Sequence, residues 1–270
     1  MSTGLTLIYG VMRLSNFAHG EYYMLGGYAL YFTVVGLGLP PILCLFAAIL
    51  GGVAVGFSVE RLLIRDTYTR VMGRPLEYAM LGTMMISVLL QNLAVQIFGP
   101  YIHSTPPFVT GSLRILQVTL SYDRVVASAV SLASLLLVYY LVQATKTGRA
   151  WRAVAQNRVG AIVSGISVSR VNLLAYGTGA GLAGLCGALL TPIYGVWPSV
   201  GWTPLVLSFV IIVLGGLGSI KGALVGSLIV GLTHSFVAGY WSPAYADVIM
   251  YLVMLAVLLI KPTGLFGQKA

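Results

Sequence analysis

Long runs of apolar residues constrain this chain most, because they recur along its length with few charges inside them. A helix needs about 20 predominantly apolar residues to cross the hydrocarbon core of a bilayer. The sequence therefore predicts an all-α polytopic membrane protein, with residues 1–270 forming a single transmembrane domain. The eight predicted spans lie at about residues 20–36, 41–60, 78–98, 124–144, 171–192, 203–219, 222–240 and 245–261.

Composition supports this fold class. Only 8% of the residues are charged and 58% are hydrophobic, whereas roughly 25% of the residues in a soluble domain are charged. A soluble domain needs more charge to cover its surface, and a disordered chain is far less hydrophobic. Cys44 and Cys186 lie in separate apolar runs and are predicted to be small buried hydrophobes.

A ninth apolar stretch, from Gly4 to Met12, is too short to cross a membrane. At about 1.5 Å per residue it covers roughly half of the hydrocarbon core. Either the natural chain has more residues before Met1, or this stretch is half of a broken or re-entrant helix.

Basic residues cluster in alternate loops between the predicted spans, and the remaining loops (99–123, 193–202 and 240–244) are rich in aromatic residues, Pro and Gly. Because Lys and Arg are enriched in cytoplasmic loops, the basic loops and the C-terminus are predicted to be cytoplasmic. This asymmetry explains the net charge of +9 without nucleic acid as a partner. The basic loop residues are Arg61, Arg65, Arg70, Arg74, Lys146, Arg149, Arg152, Arg158, Arg170, Lys221, Lys261 and Lys269.

A polar island, Arg13 to Glu21, separates the short apolar stretch from the first predicted span. Polar groups at membrane depth usually face a bundle interior or a cavity, so the island is a candidate substrate path. The alternative is a tight turn at the cytoplasmic surface, capped by Asn16, with His19 and Glu21 solvated. The residues alone leave both interpretations open.

The segment at residues 145–170 is a basic amphipathic stretch between two predicted spans. At helical spacing, one set of apolar side chains is predicted to share a face, while Arg149, Arg152 and Gln156 lie on another. Such a segment either lies on the lipid surface or docks into a groove of another protein. The apolar set is Trp151, Ala155, Val159, Ile162 and Ile166.

The fifth predicted span is rich in glycine. Tight helix packing is one interpretation of this pattern, and a mobile helix face that lines a path is the other. The glycines are Gly177, Gly179, Gly181, Gly184 and Gly187.

Several chemical functions are not predicted. The run from Leu214 to Gly222 lacks the Gly-Lys-Ser/Thr order of a phosphate-binding loop, so the chain is not expected to hydrolyse nucleotides or to be an enzyme. His19, His103 and His234 show no metal-ligand spacing, and no metal or cofactor is expected. His234 is predicted to be a hydrogen-bonded interior histidine. Carboxylates are nearly absent from the spans, which argues against ion-driven secondary transport.

Three sets of motifs carry a family resemblance. Gly4–Gly10 followed by Asn16–Gly26 resembles the opening of the LivH-type permeases of branched-chain amino acid ABC transporters. Residues 147–166 resemble the cytoplasmic coupling segment of that family, and Gly215–Ala223 with Lys261–Gly267 resemble its later loop and its end. The chain departs from the family pattern in its short start and at Lys221, where a Pro or another small residue is expected.

The resemblance implies a type I-like importer permease bundle in a prokaryotic inner membrane. It implies four kinds of partner besides the lipid bilayer: a second homologous permease subunit, two cytoplasmic ATP-binding subunits and an extracytoplasmic substrate-binding protein. It also favours docking for residues 145–170. The residues predicted to couple to the ATP-binding subunits are Arg149, Trp151, Arg152, Ala155, Gln156, Asn157, Gly160 and Gly165.

The resemblance further implies a branched-chain or other aliphatic amino acid as cargo. A permease for urea or short amides is the alternative within the same architecture, and an ATP-independent channel or facilitator is the alternative of another class. The candidates for the substrate path are Asn16, His19, Glu21, Thr83, Gln91 and Asn92. For the last three, plain interhelical hydrogen bonding is the competing interpretation.

Overall fold

The structure is a computed structural model of the chain, and it describes residues 1–69, 74–115 and 118–267. Arg70 and Lys269, which the sequence analysis counts among the basic loop residues, lie outside the described residues.

Twelve α-helices form the described part of the chain. They are α1 Ser2–Met12, α2 His19–Tyr31, α3 Pro41–Val59, α4 Arg65–Thr69, α5 Pro75–Phe98, α6 Tyr122–Ala144, α7 Lys146–Gln156, α8 Arg158–Val163, α9 Val168–Tyr194, α10 Trp202–Gly215, α11 Ile220–Tyr240 and α12 Pro243–Ile260. A π-helical turn, Phe32–Gly36, extends α2, and another, Glu60–Ile64, joins α3 to α4. A small antiparallel hairpin, which the all-α prediction did not contain, pairs β1 Ser112–Ile115 with β2 Val118–Ser121.

The helices confirm a polytopic helical membrane protein. Six of the described helices are long and apolar enough to cross a membrane; they contain α3, α5, α6, α9, α11 and α12. The first predicted span, 20–36, corresponds to α2 with its π-helical turn, which is not among these six. The sixth, 203–219, is shorter than expected, because α10 ends at Gly215 and Gly216 takes a φ of 103° that no helix continues. The predicted half-helix is α1.

Helix α9 is the centre of the bundle, and its glycines serve packing. Of its most apolar 18 residues, 67% are buried. A Cβ added at Gly184 would lie 2.7 Å from the carbonyl oxygen of Ala48 in α3, and one at Gly179 would lie 2.8 Å from that of Gly4 in α1. Small residues allow such close backbone approach. The glycine face of α9 is covered by α1, α2 and α3, which supports the packing interpretation.

The outer helices leave much apolar surface exposed. Helix α10 packs with α11 and α12 in a second group, which contacts the first group mainly through α1. Only 11% of the most apolar window of α5, and likewise of α12, is buried. Of the two cysteines, Cys44 is buried as predicted and Cys186 is partly buried. Most of the outer surface is therefore suited to lipid or to a membrane partner.

The connection from α9 to α10 turns back into the bundle. Val196 exchanges two backbone hydrogen bonds with His103, of 2.8 and 2.9 Å. Five residues later, Gly201 packs against Gly20 so closely that a Cβ at Gly20 would lie 2.7 Å from the carbonyl oxygen of Gly201. Half of the loop predicted at 193–202 is therefore buried, whereas Tyr194, Ser199 and Trp202 are exposed.

Candidate functional site

The polar island lies inside the bundle. The hydroxyl groups of Tyr22 and Tyr176 form a hydrogen bond of 2.9 Å. Tyr176 is eight residues into α9, or about 12 Å from its beginning. Asn16 and His19 are fully buried, and 7% of Glu21 is exposed. The alternative of a solvated surface turn is therefore wrong. Glu21 does lie in the first turn of α2, as that interpretation expected.

Residues from α5 complete this polar cluster, which we define as Asn16, His19, Glu21, Tyr22, Thr83, Ser87 and Tyr176. The backbone N–H of Phe17 donates to Thr83 Oγ1 at 3.2 Å, and Ser87 Oγ donates to Glu21 Oε1 at 2.9 Å. Asn16 Oδ1 accepts from the backbone N–H of Ala18 at 3.0 Å, one residue before α2 begins, so it stabilises the turn that leads into the helix.

Three buried atoms of the polar cluster have no hydrogen-bond partner among the described residues. They are Asn16 Nδ2, His19 Nδ1 and Glu21 Oε2. The other side of His19 is occupied, since its Nε2 lies 3.3 Å from the carbonyl oxygen of Met1. Because buried polar atoms are usually paired, these three are the groups of the cluster that can bind something further.

The structure brings four of the six predicted path residues together and separates two. Asn16, His19, Glu21 and Thr83 belong to the polar cluster. Gln91 lies about two turns further along α5 and is partly buried. Asn92 is exposed on the outer face of α5, where its Nδ2 donates to the carbonyl oxygen of Val88 at 2.7 Å.

Three members of the polar cluster were not predicted from the sequence: Ser87, Tyr22 and Tyr176. Ser87 follows Thr83 by four residues, so both face α2 from one side of α5. This spacing was a usable signal. The pairing of the two tyrosines had no sequence signal, because their positions are separated by 154 residues.

The segment at 145–170 is two helices rather than one. Asn157 leaves the helical region at φ −149° and ψ 103°, and its Oδ1 accepts from the backbone N–H of Gly160 at 2.9 Å to begin α8. The predicted apolar face is therefore wrong: Trp151 is 4% exposed, whereas Val159 is 71% exposed and Ile162 58%. The break at Asn157 turns Val159 and Ile162 away from the bundle, while Ala161 stays buried in the core.

Helix α7 is attached to the ends of two spans. Thr145 caps α7 by accepting from the backbone N–H of Gly148 at 3.0 Å. The Arg152 guanidinium donates to the carbonyl oxygen of Val142, near the end of α6, where cations also interact favourably with the helix dipole. The Trp151 indole N–H donates to the carbonyl oxygen of Val171, in the first turn of α9, at 3.2 Å. Any displacement of α7 therefore acts on both α6 and α9.

Helix α8 presents an exposed apolar surface of Val159, Ile162 and Val163, the last 84% exposed. It ends at Val163. Gly165, at a φ of 77°, follows the helix, and the backbone N–H groups of Gly165 and Ile166 donate to the carbonyl oxygens of Ile162 and Ala161. The remaining predicted coupling residues, Arg149, Ala155 and Gln156, lie on α7 and are exposed or partly exposed.

The described residues contain no cluster of metal ligands, and His234 lies near the surface of the bundle. No group of three or more His, Cys, Asp or Glu residues there could hold a metal ion. His234 is not interior as predicted: its side chain is 37% exposed between α11 and α12, and its Nε2 lies 3.7 Å from Asp247 Oδ1.

Comparison with known proteins agrees with this architecture. Residues 1–258 match the family model described as "Branched-chain amino acid transport system / permease component". The chain is 31% identical over 282 residues to the high-affinity branched-chain amino acid transport system permease protein LivH of Salmonella typhimurium, covering 99% of this chain and 90% of that protein. It is 30% identical over 282 residues to the corresponding protein BraD of Pseudomonas aeruginosa, covering 99% and 91%. No solved structure gives a significant match.

The family model and these two permeases show that the chain is a membrane transport subunit rather than an enzyme. The chain belongs to the family of permease components of branched-chain amino acid transport systems.

Proposed function

We propose that this chain is the permease subunit of an ATP-driven importer for branched-chain or other aliphatic amino acids. The observation that carries the proposal is the attachment of α7 to the ends of α6 and α9 by Arg152 and Trp151. A segment held in this way can pass a movement made outside the membrane to two membrane-spanning helices at once.

Two cytoplasmic ATP-binding subunits supply that movement in our proposal. They contact α7 and the exposed apolar residues of α8, which together form the coupling segment. ATP binds one arrangement of these subunits more tightly, and this difference in affinity shifts the bundle between outward-facing and inward-facing states. The permease itself hydrolyses nothing.

The polar cluster suits an amino acid as cargo. A zwitterion carries a carboxylate, which needs a donor, and an ammonium group, which needs an acceptor. Asn16 Nδ2 is an unpaired buried donor and Glu21 Oε2 an unpaired buried acceptor, and apolar side chains such as Leu14 and Ile8 lie close by in the same core. This combination supports an aliphatic amino acid more than a sugar, which needs many hydrogen-bonding groups.

A second, homologous permease subunit completes the membrane part of the proposed importer. Asn92 and Gln96, one turn apart, are both exposed on α5. Polar side chains that face lipid are costly and usually face protein, so they support α5 as the side that meets the second permease. The exposed faces of α11 and α12 suit the bilayer.

The proposed orientation places α7, α8 and the C-terminus in the cytoplasm of a prokaryotic cell, in its inner membrane. The support is the clustering of basic residues at one end of the bundle, where Arg13 and Arg152 line one cleft and Lys221 follows its lining residue Ser219 by two positions. An extracytoplasmic substrate-binding protein docks at the opposite end.

Reconstitution of the assembled transporter in liposomes tests the proposed function. We expect ATP-dependent uptake of leucine, and ATP hydrolysis that the loaded binding protein stimulates. The variant Arg152→Gln removes the guanidinium that holds α6, and we expect uptake to fall at least tenfold while the helical bundle remains folded.

The control is Arg114→Gln, which removes an exposed cation at the opposite end of the molecule and should leave uptake unchanged. Undiminished uptake by Arg152→Gln contradicts the coupling role of α7. Leucine transport by this chain alone would identify an ATP-independent facilitator. A binding protein that binds urea but not leucine would assign urea or a short amide as the cargo.

A further inference from the structure

A cleft of about 460 Å³ opens beside α7 and is not part of the polar cluster. Its walls come from four parts of the chain: the end of α1, α7, the turn that follows α10, and the segment that follows α12. The lining residues are Tyr9, Gly10, Arg13, Arg152, Ala155, Gln156, Leu217, Gly218, Ser219, Phe266 and Gly267. Only the α7 residues among them belong to the predicted coupling segment.

The segment after α12, which we call the tail (residues 261–267), is held against the end of α10 by backbone hydrogen bonds. The backbone N–H groups of Leu265 and Phe266 donate to the carbonyl oxygens of Leu214 and Gly215, both at 2.9 Å. These bonds satisfy carbonyl groups that the end of α10 would otherwise leave unpaired. Gly264 and Gly216 both have positive φ, and a Cβ at Gly264 would lie 2.6 Å from Gly216 Cα. The tail is therefore a fixed wall.

The chemistry of the cleft is basic and apolar. Arg13 is exposed, and at φ 57° it is the only described residue other than glycine with a positive φ. Arg152 lines the opposite wall, and no described lining residue is acidic. Leu217 is 49% exposed and Phe266 47%, so two large apolar side chains also face outward. Such a surface complements an acidic projection with an apolar tip.

Its shape distinguishes a protein partner from the lipid surface. A membrane surface is flat, and a segment that lies on it presents a convex amphipathic face. Here the basic and apolar groups line a concave cleft, which begins where α7 ends and is continuous through Gln156 with the exposed apolar residues of α8. A concave site of this kind fits a protruding segment of another protein.

We propose that this cleft, including the turn at 216–219 and the tail, is the second half of the docking surface for a cytoplasmic ATP-binding subunit. The proposal rests on the proposed function and extends it to residues outside the coupling segment. An acidic projection of that subunit inserts between α7 and Phe266 and contacts Arg13. It thereby engages α1 and the end of α10, in addition to α6 and α9.

Site-specific photo-cross-linking in the assembled transporter tests this inference. A photoreactive phenylalanine analogue replaces Phe266, Ala155 or Tyr240, one position at a time. Tyr240 is the control, because it is exposed at the opposite end of α11. We expect positions 266 and 155 to cross-link to an ATP-binding subunit and position 240 to give no such product.

The outcomes separate the two proposals. Cross-linking from 155 but not from 266 overturns the cleft as a docking surface and leaves the proposed function standing. Cross-linking from neither position, in a complex shown to contain the ATP-binding subunits, overturns both. Cross-linking from 266 to lipid alone assigns the tail to the membrane surface and overturns the inference.

A charge reversal gives a second readout. We expect Arg13→Glu to weaken retention of the purified ATP-binding subunits on the immobilised permease at least tenfold, with a smaller difference at high salt. The matched change Arg114→Glu, at the opposite end of the molecule, should not alter retention. If thermal unfolding shows that both variants are folded and both retain the ATP-binding subunits equally, the charge complementarity on which the inference depends is overturned.

Discussion

The contact between α3 and α9 offers a sharp test of the bundle, because two adjacent glycines of α3 have opposite surroundings. A Cβ added at Gly52 would lie 2.7 Å from the carbonyl oxygen of Ala180 and 3.1 Å from Gly181 Cα, whereas one added at Gly51 meets nothing within 4 Å. Both neighbours of Gly52 are backbone atoms of a buried helix, so they cannot rotate away. For Gly52→Ala the helices must separate by about half an ångström along their contact, which we expect to cost about 1–3 kcal/mol. Gly51→Ala makes no contact and gains helix propensity, up to about 1 kcal/mol in water.

The two cysteines provide the assay. Cys44 is buried and Cys186 partly buried, so a thiol-reactive fluorophore reports their exposure as the purified protein unfolds on heating. We expect the midpoint of Gly52→Ala to fall by about 2–12 °C, at roughly 2–4 °C per kcal/mol, and that of Gly51→Ala to stay or rise. If both variants unfold at the same temperature, α3 and α9 do not pack through their backbones, and the central position of α9 is refuted.

Three further predictions concern the two functional regions. Gly148→Ala forces a methyl group into the carbonyl groups of Leu141 and Val142, so uptake in liposomes should fall at least tenfold, while Gly231→Ala, which has open space around it, should transport normally. Trp151→Phe keeps a buried aromatic ring but loses the hydrogen bond to Val171. We expect about 1 kcal/mol of destabilisation in thermal unfolding and a loss of the ATP hydrolysis that the binding protein stimulates. Stimulated ATP hydrolysis at the original rate would contradict the coupling role of this hydrogen bond. Ser87→Ala leaves a second oxygen of Glu21 unpaired and should cost about 1–3 kcal/mol, whereas Ser128→Ala, which loses only an exposed bond to Arg124, should be neutral in the same assay.

Length and hydropathy were sufficient to place the membrane helices, because the hydrocarbon core sets a minimum apolar length that a sequence displays directly. Two predicted spans are exceptions, since neither α2 nor α10 is among the six described helices long and apolar enough to cross a membrane. Helix α10 ends early. Its predicted span continued to residue 219, since Gly215, Gly216 and Gly218 are compatible with an apolar run. The positive φ of Gly216 that ends the helix depends on the tail that packs against it, and this is a tertiary contact.

The division of α7 from α8 was missed for a different reason. Apolar residues recur at helical spacing from Trp151 to Ile166, and periodicity alone favours a single helix. Asn157 interrupts it by capping a new helix at Gly160, and an Asn three residues before a Gly is a signal that the periodicity analysis did not weigh.

The polar cluster was half predictable. Asn16, His19 and Glu21 stood out because strongly polar groups in an apolar setting are costly, and Thr83 was predicted as a polar residue inside the third span. Ser87, Tyr22 and Tyr176 did not, since hydroxyl groups are tolerated in membrane helices, where they can bond to their own backbone or to a neighbour. Asn92 differs from Thr83 only in the face of α5 it occupies, and an almost uniformly apolar helix does not reveal which face is inside.

The position of Arg13 relates the cleft to the polar cluster more directly than α6 or α9 can. Only Leu14 and Ser15 separate Arg13 from Asn16, and the backbone of Phe17 is already bonded to Thr83 in α5. Leu14 is buried, so this short connection has little freedom to absorb a displacement. A partner that moves Arg13 therefore also moves Asn16 and its unpaired amide, without a relay of side chains. By contrast, the hydrogen bond from Trp151 of α7 reaches the cluster through α9, where Tyr176 holds Tyr22. The two routes converge on the first turn of α2, which makes that turn the element whose position we expect to differ most between the two transport states.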